Sequence, residues 1–139
     1  MLVHETPSRN VQAGEDVSKC LYQMKLTLYG DGENEPQQEQ VAQLAQEVYN
    51  QDVLQLLVTN IGRFEFEARK DASQIFNNLL RRQIGTRWPT VEYLTKKPEV
   101  VFAALRGYGN ADVALNTGMI LREMLRHETL AKILLYSEQ

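Results

Sequence analysis

Glu67-Ala-Arg-Lys-Asp-Ala-Ser-Gln-Ile-Phe-Asn-Asn-Leu-Leu-Arg-Arg-Gln83 is the stretch that decides the fold class. Its apolar residues, Ala68, Ala72, Ile75, Phe76, Leu79 and Leu80, recur at three- and four-residue steps and so share one side of a helix. Arg69, Lys70, Gln74, Asn77, Asn78, Arg81 and Arg82 fall elsewhere around it. A helix of this kind must bury its stripe against other elements. Gly85-Thr-Arg-Trp-Pro89 then breaks the chain.

Working outward, the same period returns on both sides. Downstream, Thr90 is placed to cap a short helix that runs through Leu94. Pro98 suits the first turn of another, with Val100, Val101, Ala104 and Leu105 inside it and Gly107 and Gly109 ending it. Asn110 is placed to cap the next, with Asp112 complementing its dipole and Ala114, Thr117, Gly118, Leu121, Met124 and Leu125 as the expected buried stripe. A last helix, Thr129 to Tyr136, is apolar on most sides. Upstream, Val41, Leu44, Ala45 and Val48 form a stripe after Pro36, and Asp52 is placed to cap a helix carrying Val53, Leu54, Leu56, Leu57 and Ile61. Val17, Cys20, Leu21, Met24 and Leu28 make a further face, and Gly30 stops that helix. Residues 1–13 are polar, with Pro7 as a breaker and Gly14 just beyond them, and are expected to be a flexible leader. No stretch alternates as a half-buried strand does, so the expected class is all-α.

The helices repeat. At an offset of 45 residues Leu80-Arg81 meets Leu125-Arg126, Ala72 meets Thr117, Ile75 meets Ile120, Phe76 meets Leu121 and Leu79 meets Met124. A second offset, of 77, sets Leu44 on Leu121, Val48 on Leu125, Val53 on Leu130, Leu56 on Ile133 and Leu57 on Leu134. Periods of this size predict an armadillo/HEAT-like helical-repeat solenoid over residues 14–139. Solenoid units bury their faces against neighbours. The chain stops at Gln139 straight after an apolar helix, with no polar capping helix, so a truncated array is expected.

Composition is that of an ordinary soluble domain, with 43% hydrophobic and 24% charged residues. No apolar run approaches the roughly 18 residues that a membrane span needs, and the N-terminus lacks a secretory pattern. Cys20, the single cysteine, is expected to be a small core residue, which suits a cytoplasmic protein. Charge is uneven. Residues 1–60 hold three basic and nine acidic residues, a net of −6, and residues 61–139 hold twelve basic and nine acidic, a net of +3. A two-sign surface suits protein binding better than a nucleic-acid footprint.

Catalytic and metal chemistry find no support. His4 and His127 are the only histidines and sit at opposite ends. Asp31-x-Glu33-x-Glu35 starts like a calcium loop, but Pro36 stands where glycine is needed and Ala42 where a bidentate glutamate is needed. Gly107-Tyr-Gly109 lacks the rest of a phosphate loop. No enzyme activity, metal or cofactor is expected. Arg81 and Arg82, then Arg87 beside Trp88, gather near one inter-helix turn, while Arg122 and Arg126 are expected to share a helix face at four-residue spacing. Arginine and tryptophan dominate interface energetics, so these six are the candidate partner-binding residues. Nucleic-acid binding through the same arginines is the alternative, although stacking aromatics in a repeated frame are lacking.

The run Gln74-Ile-Phe-Asn-Asn-Leu-Leu-Arg-Arg-Gln-Ile-Gly-Thr-Arg87, followed by Pro89-Thr-Val-Glu-Tyr93, closely resembles the mouse-protein-25 scaffold family, also called the calcium-binding-protein-39-like family. Gln40 to Tyr49, Ala114-Leu-Asn116, Leu121-Arg-Glu123, Arg126-His-Glu128 and Leu130-Ala-Lys-Ile133 extend the likeness over roughly residues 15–139, whereas residues 1–13 do not resemble the family's usual start. The resemblance implies an armadillo-like solenoid without an active site that works as a kinase-activating scaffold in signalling. Its implied partners are protein kinases and pseudokinase adaptors of the germinal-centre type, and in fungi a morphogenesis network. Members of the family are usually over twice this length. Their pocket for an adaptor's C-terminal Trp-Glu-Phe motif falls beyond residue 139, so none of its residues carries over.

Overall fold

The computed structural model describes residues 5–136, and among them eight α-helices follow in order: α1 (Glu5–Tyr29), α2 (Gln38–Asn50), α3 (Val53–Asn60), α4 (Phe66–Arg81), α5 (Pro89–Lys96), α6 (Pro98–Tyr108), α7 (Ala114–Met124) and α8 (Glu128–Leu135). No strand occurs among the described residues. Ile84 and Arg87 form one isolated bridge across a tight turn at Gly85 and Thr86. The all-α expectation therefore holds.

Helices of like kind stack. α1 packs on α4 and α4 on α7, α3 packs on α6, and α5 packs on α8. The repeating unit is thus α2-α3-α4, followed by α5-α6-α7, with α1 ahead as a third-position helix and α8 behind as a first-position one. This is the three-helix armadillo unit, and it matches the 45-residue offset. Ala72, Ile75, Phe76 and Leu79, and their counterparts Thr117, Ile120, Leu121 and Met124, are all buried. The 77-residue offset fails, because it sets α2 on α7 and α3 on α8, elements with different places in the unit. It also pairs the buried Val48 with Leu125, which is 52% exposed.

Local chemistry explains the boundaries. Gly30 ends α1 at a φ of 84°, and a Cβ there would lie 2.3 Å from the Asn34 carbonyl oxygen, so only glycine serves. Pro89 and Pro98 open α5 and α6, where a missing N–H costs nothing. The core runs through the middle of the stack, with Phe76, Ile75, Leu79, Leu80, Leu54 and Leu94 fully buried. Each contributes about 1.5–3 kcal/mol.

Several expectations need correcting. Helix α1 begins at Glu5, so residues 5–13 are helical where an irregular leader was expected. Pro7 sits in the first turn, where proline is tolerated, and does not break the helix. Residues 1–4 of that leader, His4 included, lie outside the described residues, as do residues 137–139. Cys20 is exposed, because the face of α1 that packs is the one carrying Leu21 and Leu28. Val17, Leu56, Leu105 and Leu125, expected inside, are also exposed. Gly107 lies within α6 and does not end it; its missing Cβ lets α6 approach Thr117 of α7, whose Cγ2 would stand 2.7 Å from such an atom.

Three expected caps do other work. Asn110 accepts a bond from the Asp112 N–H in a turn ahead of α7, which is capped by Val113. Thr90 is buried inside α5 and shares a 2.6 Å hydrogen bond with the Tyr49 hydroxyl. Asp52 makes no cap bond; its carboxylate accepts the Tyr93 hydroxyl proton and pairs with Lys97 at 3.5 Å. Together with the stacking of Tyr49 on Tyr93, these contacts tie the end of α2 to α5.

Candidate partner-binding surface

The C-terminal ends of α4 and α7 lie side by side, and the turn after α4 folds back over them. Ile84 and Arg87 exchange two 2.9 Å backbone hydrogen bonds, which sets the position of Trp88 at the head of α5. Arg81 closes α4 and crosses to α7. Its Nε and Nη2 both donate to Oε1 of Glu123, at 3.0 and 2.8 Å. Glu123 is buried, and charge-assisted bonds of this length offset the desolvation of its carboxylate. The carboxylate in turn raises the Arg81 guanidinium above its ordinary value. Arg126 approaches the other oxygen of Glu123 only to 4.0 Å, with its side chain 71% exposed.

Trp88 meets the His127 ring edge-on, with centroids 5.0 Å apart. Burial lowers the His127 pKa and Arg126 lowers it further, while Glu123 pulls it upward. The result is a cleft of about 480 Å³ lined by Arg81, Trp88, Glu123, Arg126, His127 and Glu128. It places the guanidinium groups of Arg81 and Arg126 beside an indole, an imidazole and the carboxylates of Glu123 and Glu128.

The six candidates divide accordingly. Arg81, Trp88 and Arg126 come together in this cleft. Arg87 and Trp88 line an adjoining one, where Arg87 is held by Glu92 through bonds of 3.1 and 2.7 Å. That pairing lowers the Glu92 pKa. Arg82 turns away; it lies near the Tyr49 hydroxyl, whose pKa is raised by burial and lowered by Thr90 and Arg82. Arg122 and Arg126 do not share a face, because α7 ends at Met124 and Arg126 lies beyond it. Arg122 borders a separate, larger groove of about 950 Å³ between α6, α7 and α8, lined mainly by apolar residues including Tyr108, Leu115, Met119 and Leu125.

Two features escaped the sequence reading. Glu123 pairs across 42 positions with Arg81, a distance no local pattern reports. The apolar groove is not legible in the sequence, because the spacing of Leu105 and Leu125, which line it, is that of core residues. Leu115 and Met119, four apart and off the buried stripe, are the sequence signal that α7 is apolar on two sides.

The acidic loop behaves as an ordinary turn. Asp31 accepts the backbone N–H groups of Glu33 and Asn34 and the side-chain amide of Asn34, which lowers its pKa, the Asn34 backbone bond most. Among the described residues no group of three or more His, Cys, Asp and Glu is placed to hold a metal ion. No described helix is long and apolar enough to cross a membrane.

Stacked three-helix units define an all-α helical-repeat protein of the armadillo-like kind. The chain belongs to the Mo25-like family, whose model matches residues 2–139. That span takes in most of the first thirteen residues, which on sequence had looked unlike the family. The chain is 54% identical over 134 residues to "MO25-like protein 2" of Caenorhabditis elegans, covering 96% of this chain and 40% of that protein. It is 49% identical over 138 residues to human "Calcium-binding protein 39-like", covering 99% and 41%. It is 34% identical over 137 residues to "Conidiophore development protein hymA" of Emericella nidulans, covering 95% and 36%. The chain therefore spans about two fifths of the length of these relatives.

Proposed function

We propose that this chain acts in the cytoplasm as part of a non-catalytic scaffold that binds protein kinases and pseudokinase adaptors of the germinal-centre type and activates them. Membership of the Mo25-like family is the observation that carries the proposal. The cleft supports it, since Arg126, its side chain 71% exposed, stands beside the partly buried indole of Trp88, and arginine and tryptophan are the residues that interfaces use most. The mechanism is a population shift: the scaffold binds the active conformer of the kinase better than the inactive one. A differential affinity of about 1.4 kcal/mol moves that ratio tenfold. A relative named for conidiophore development fits a role in morphogenesis. The test is a titration of a purified germinal-centre-type kinase with this chain, reading substrate phosphorylation and co-elution on gel filtration. Activity should rise to a plateau as complex forms; no complex and no change in rate would remove the proposal.

A nucleic-acid-binding module is the second reading, motivated by the net charge of +3 over residues 61–139. The pairing of Arg81 with Glu123 and of Arg87 with Glu92 weighs against it, because those cations are already neutralised. Gel shifts with single- and double-stranded RNA at low salt should show no retardation.

A further inference from the structure

Arg63 and Arg106 come from successive units and border one cleft. Arg63 closes a short 3-10 turn, Ile61–Arg63, directly after α3, and Arg106 stands in the last turn of α6. Both line a cleft of about 280 Å³ together with Thr59 and Asn110. Its floor is firm, since Val58, Ile61, Ala103 and Val113 are buried, while both arginines are exposed.

A third arginine fastens the two sides. Arg69 of α4 donates to the carbonyls of Gly62 and Phe64 at 2.9 and 3.0 Å and to that of Asp112 at 3.3 Å. Those carbonyls belong to the chain after α3 and to the turn ahead of α7. The spacing across the cleft is therefore set before anything binds, which lowers the cost of binding.

Charge separates this cleft from the others. The clefts at Arg81 and at Arg87 hold Glu123, Glu128 and Glu92 among their own lining residues. Here no lining residue is acidic. The nearby carboxylates are committed elsewhere: Asp112 pairs with Arg69 at 3.4 Å, and Glu65 lies against Gly14 of α1. Among the described residues neither Arg63 nor Arg106 forms an ion pair. Two guanidinium groups beside one hollow repel each other, and an anion between them relieves that repulsion. Neutral donors add to this. Asn110 Oδ1 accepts the Asp112 N–H, which leaves the Nδ2 hydrogens uncommitted, and the Thr59 hydroxyl lines the same cleft.

We propose that this cleft binds the phosphate of a phosphoserine or phosphothreonine side chain on another protein, held by Arg63 and Arg106 with Thr59 and Asn110 as neutral donors. Two cations match the charge of about −1.5 to −2 on a phosphate monoester at neutral pH, whereas a carboxylate brings only one. The volume takes a phosphate and its ester carbon but not a nucleotide, and the opening at the surface leaves the rest of the peptide outside. A nucleic acid fits worse, because a strand needs a row of cations along its backbone and this cleft offers a single pair. The inference rests on this cleft and stands apart from the kinase reading.

The probe is an alanine-rich peptide with one central phosphoserine, titrated into the whole chain at fixed ionic strength and followed by amide NMR. Saturable shifts are expected at Thr59, Gly62, Gly107 and Asn110. Arg63→Gln and Arg106→Gln should each weaken binding about tenfold, the loss expected for a charge-assisted bond. Both residues being exposed, the variants should unfold at an unchanged temperature. The same peptide with serine or glutamate in place of the phosphoserine should bind more weakly by about tenfold or more. No binding, binding that both arginine variants keep, or equal binding of the glutamate peptide would overturn the proposal. Inorganic phosphate binding as tightly as the peptide would give the site to the free ion, and single-stranded RNA binding more tightly at the same amides would give it to nucleic acid; either result also overturns it.

Discussion

α4 and α7 occupy the same place in successive units, share an apolar spacing, and differ in what lies against them. α4 has α1 on one side and α7 on the other, so Ala68, Ala72, Ile75, Phe76, Leu79 and Leu80 are all buried. α7 has α4 and α6 on its inner side and an open groove on its outer side. Leu80 and Leu125 are the same residue at the same repeat position, 0% and 52% exposed. The comparison shows that, in a repeat, a side chain's energetic role belongs to its neighbours as much as to its own unit.

The largest test replaces those two leucines. Leu80→Ala should cost about 2–5 kcal/mol in urea unfolding, since it opens a cavity in a close-packed core. Leu125→Ala should cost under about 1 kcal/mol. Similar losses at both sites would mean that the outer face of α7 is covered in solution.

The next test concerns the two arginines at equivalent positions. Arg81→Ala strips the buried Glu123 of two hydrogen bonds and should cost about 1–3 kcal/mol. Arg126→Ala, exposed and 4.0 Å from the same carboxylate, should stay within about 0.5 kcal/mol. An Arg126 loss as large as that of Arg81 would show the two sharing Glu123 equally.

A smaller effect separates the two units at their other junction, where α2 meets α5. Asp52 has its pKa lowered by the Tyr93 hydroxyl first and by Lys97 second. A carboxylate with a lower folded pKa binds fewer protons folded than unfolded. Its contribution is therefore present above the ordinary aspartate range and lost as pH falls through the folded value. Asp52→Asn should flatten part of the acid limb of a stability-against-pH curve.

The smallest is His127, whose pKa is lowered chiefly by burial. The neutral ring is favoured in the fold, so stability should fall slightly as pH drops below the ordinary histidine value near 6.5. An NMR titration of His127 should give a midpoint below that value, moving upward in Trp88→Ala as the ring gains water.

The legible part of the fold was the part written in short-range pattern. Spacings of three and four located the helices, Gly30, Pro89 and Pro98 marked boundaries, and the 45-residue offset found the unit. Cap assignments failed at Asp52, Thr90 and Asn110 because the same polar atoms had other partners in reach, two of them about forty residues away. Of the six candidate surface residues, Arg81, Trp88 and Arg126 line one cleft, while Arg82 and Arg122 lie in other surroundings, because which side chains meet across α4 and α7 is set by packing and not by spacing along the chain.

By itself the sequence determined that this chain makes amphipathic helices in an armadillo period, because periodicity and breakers act within a few residues of the backbone they govern. The tertiary structure alone decided which of two equivalent leucines is core, which arginine holds Glu123, and that Cys20 faces water. Burial and ion pairing are properties of two surfaces meeting, and an apolar stripe records that a helix has a face to cover without recording what covers it.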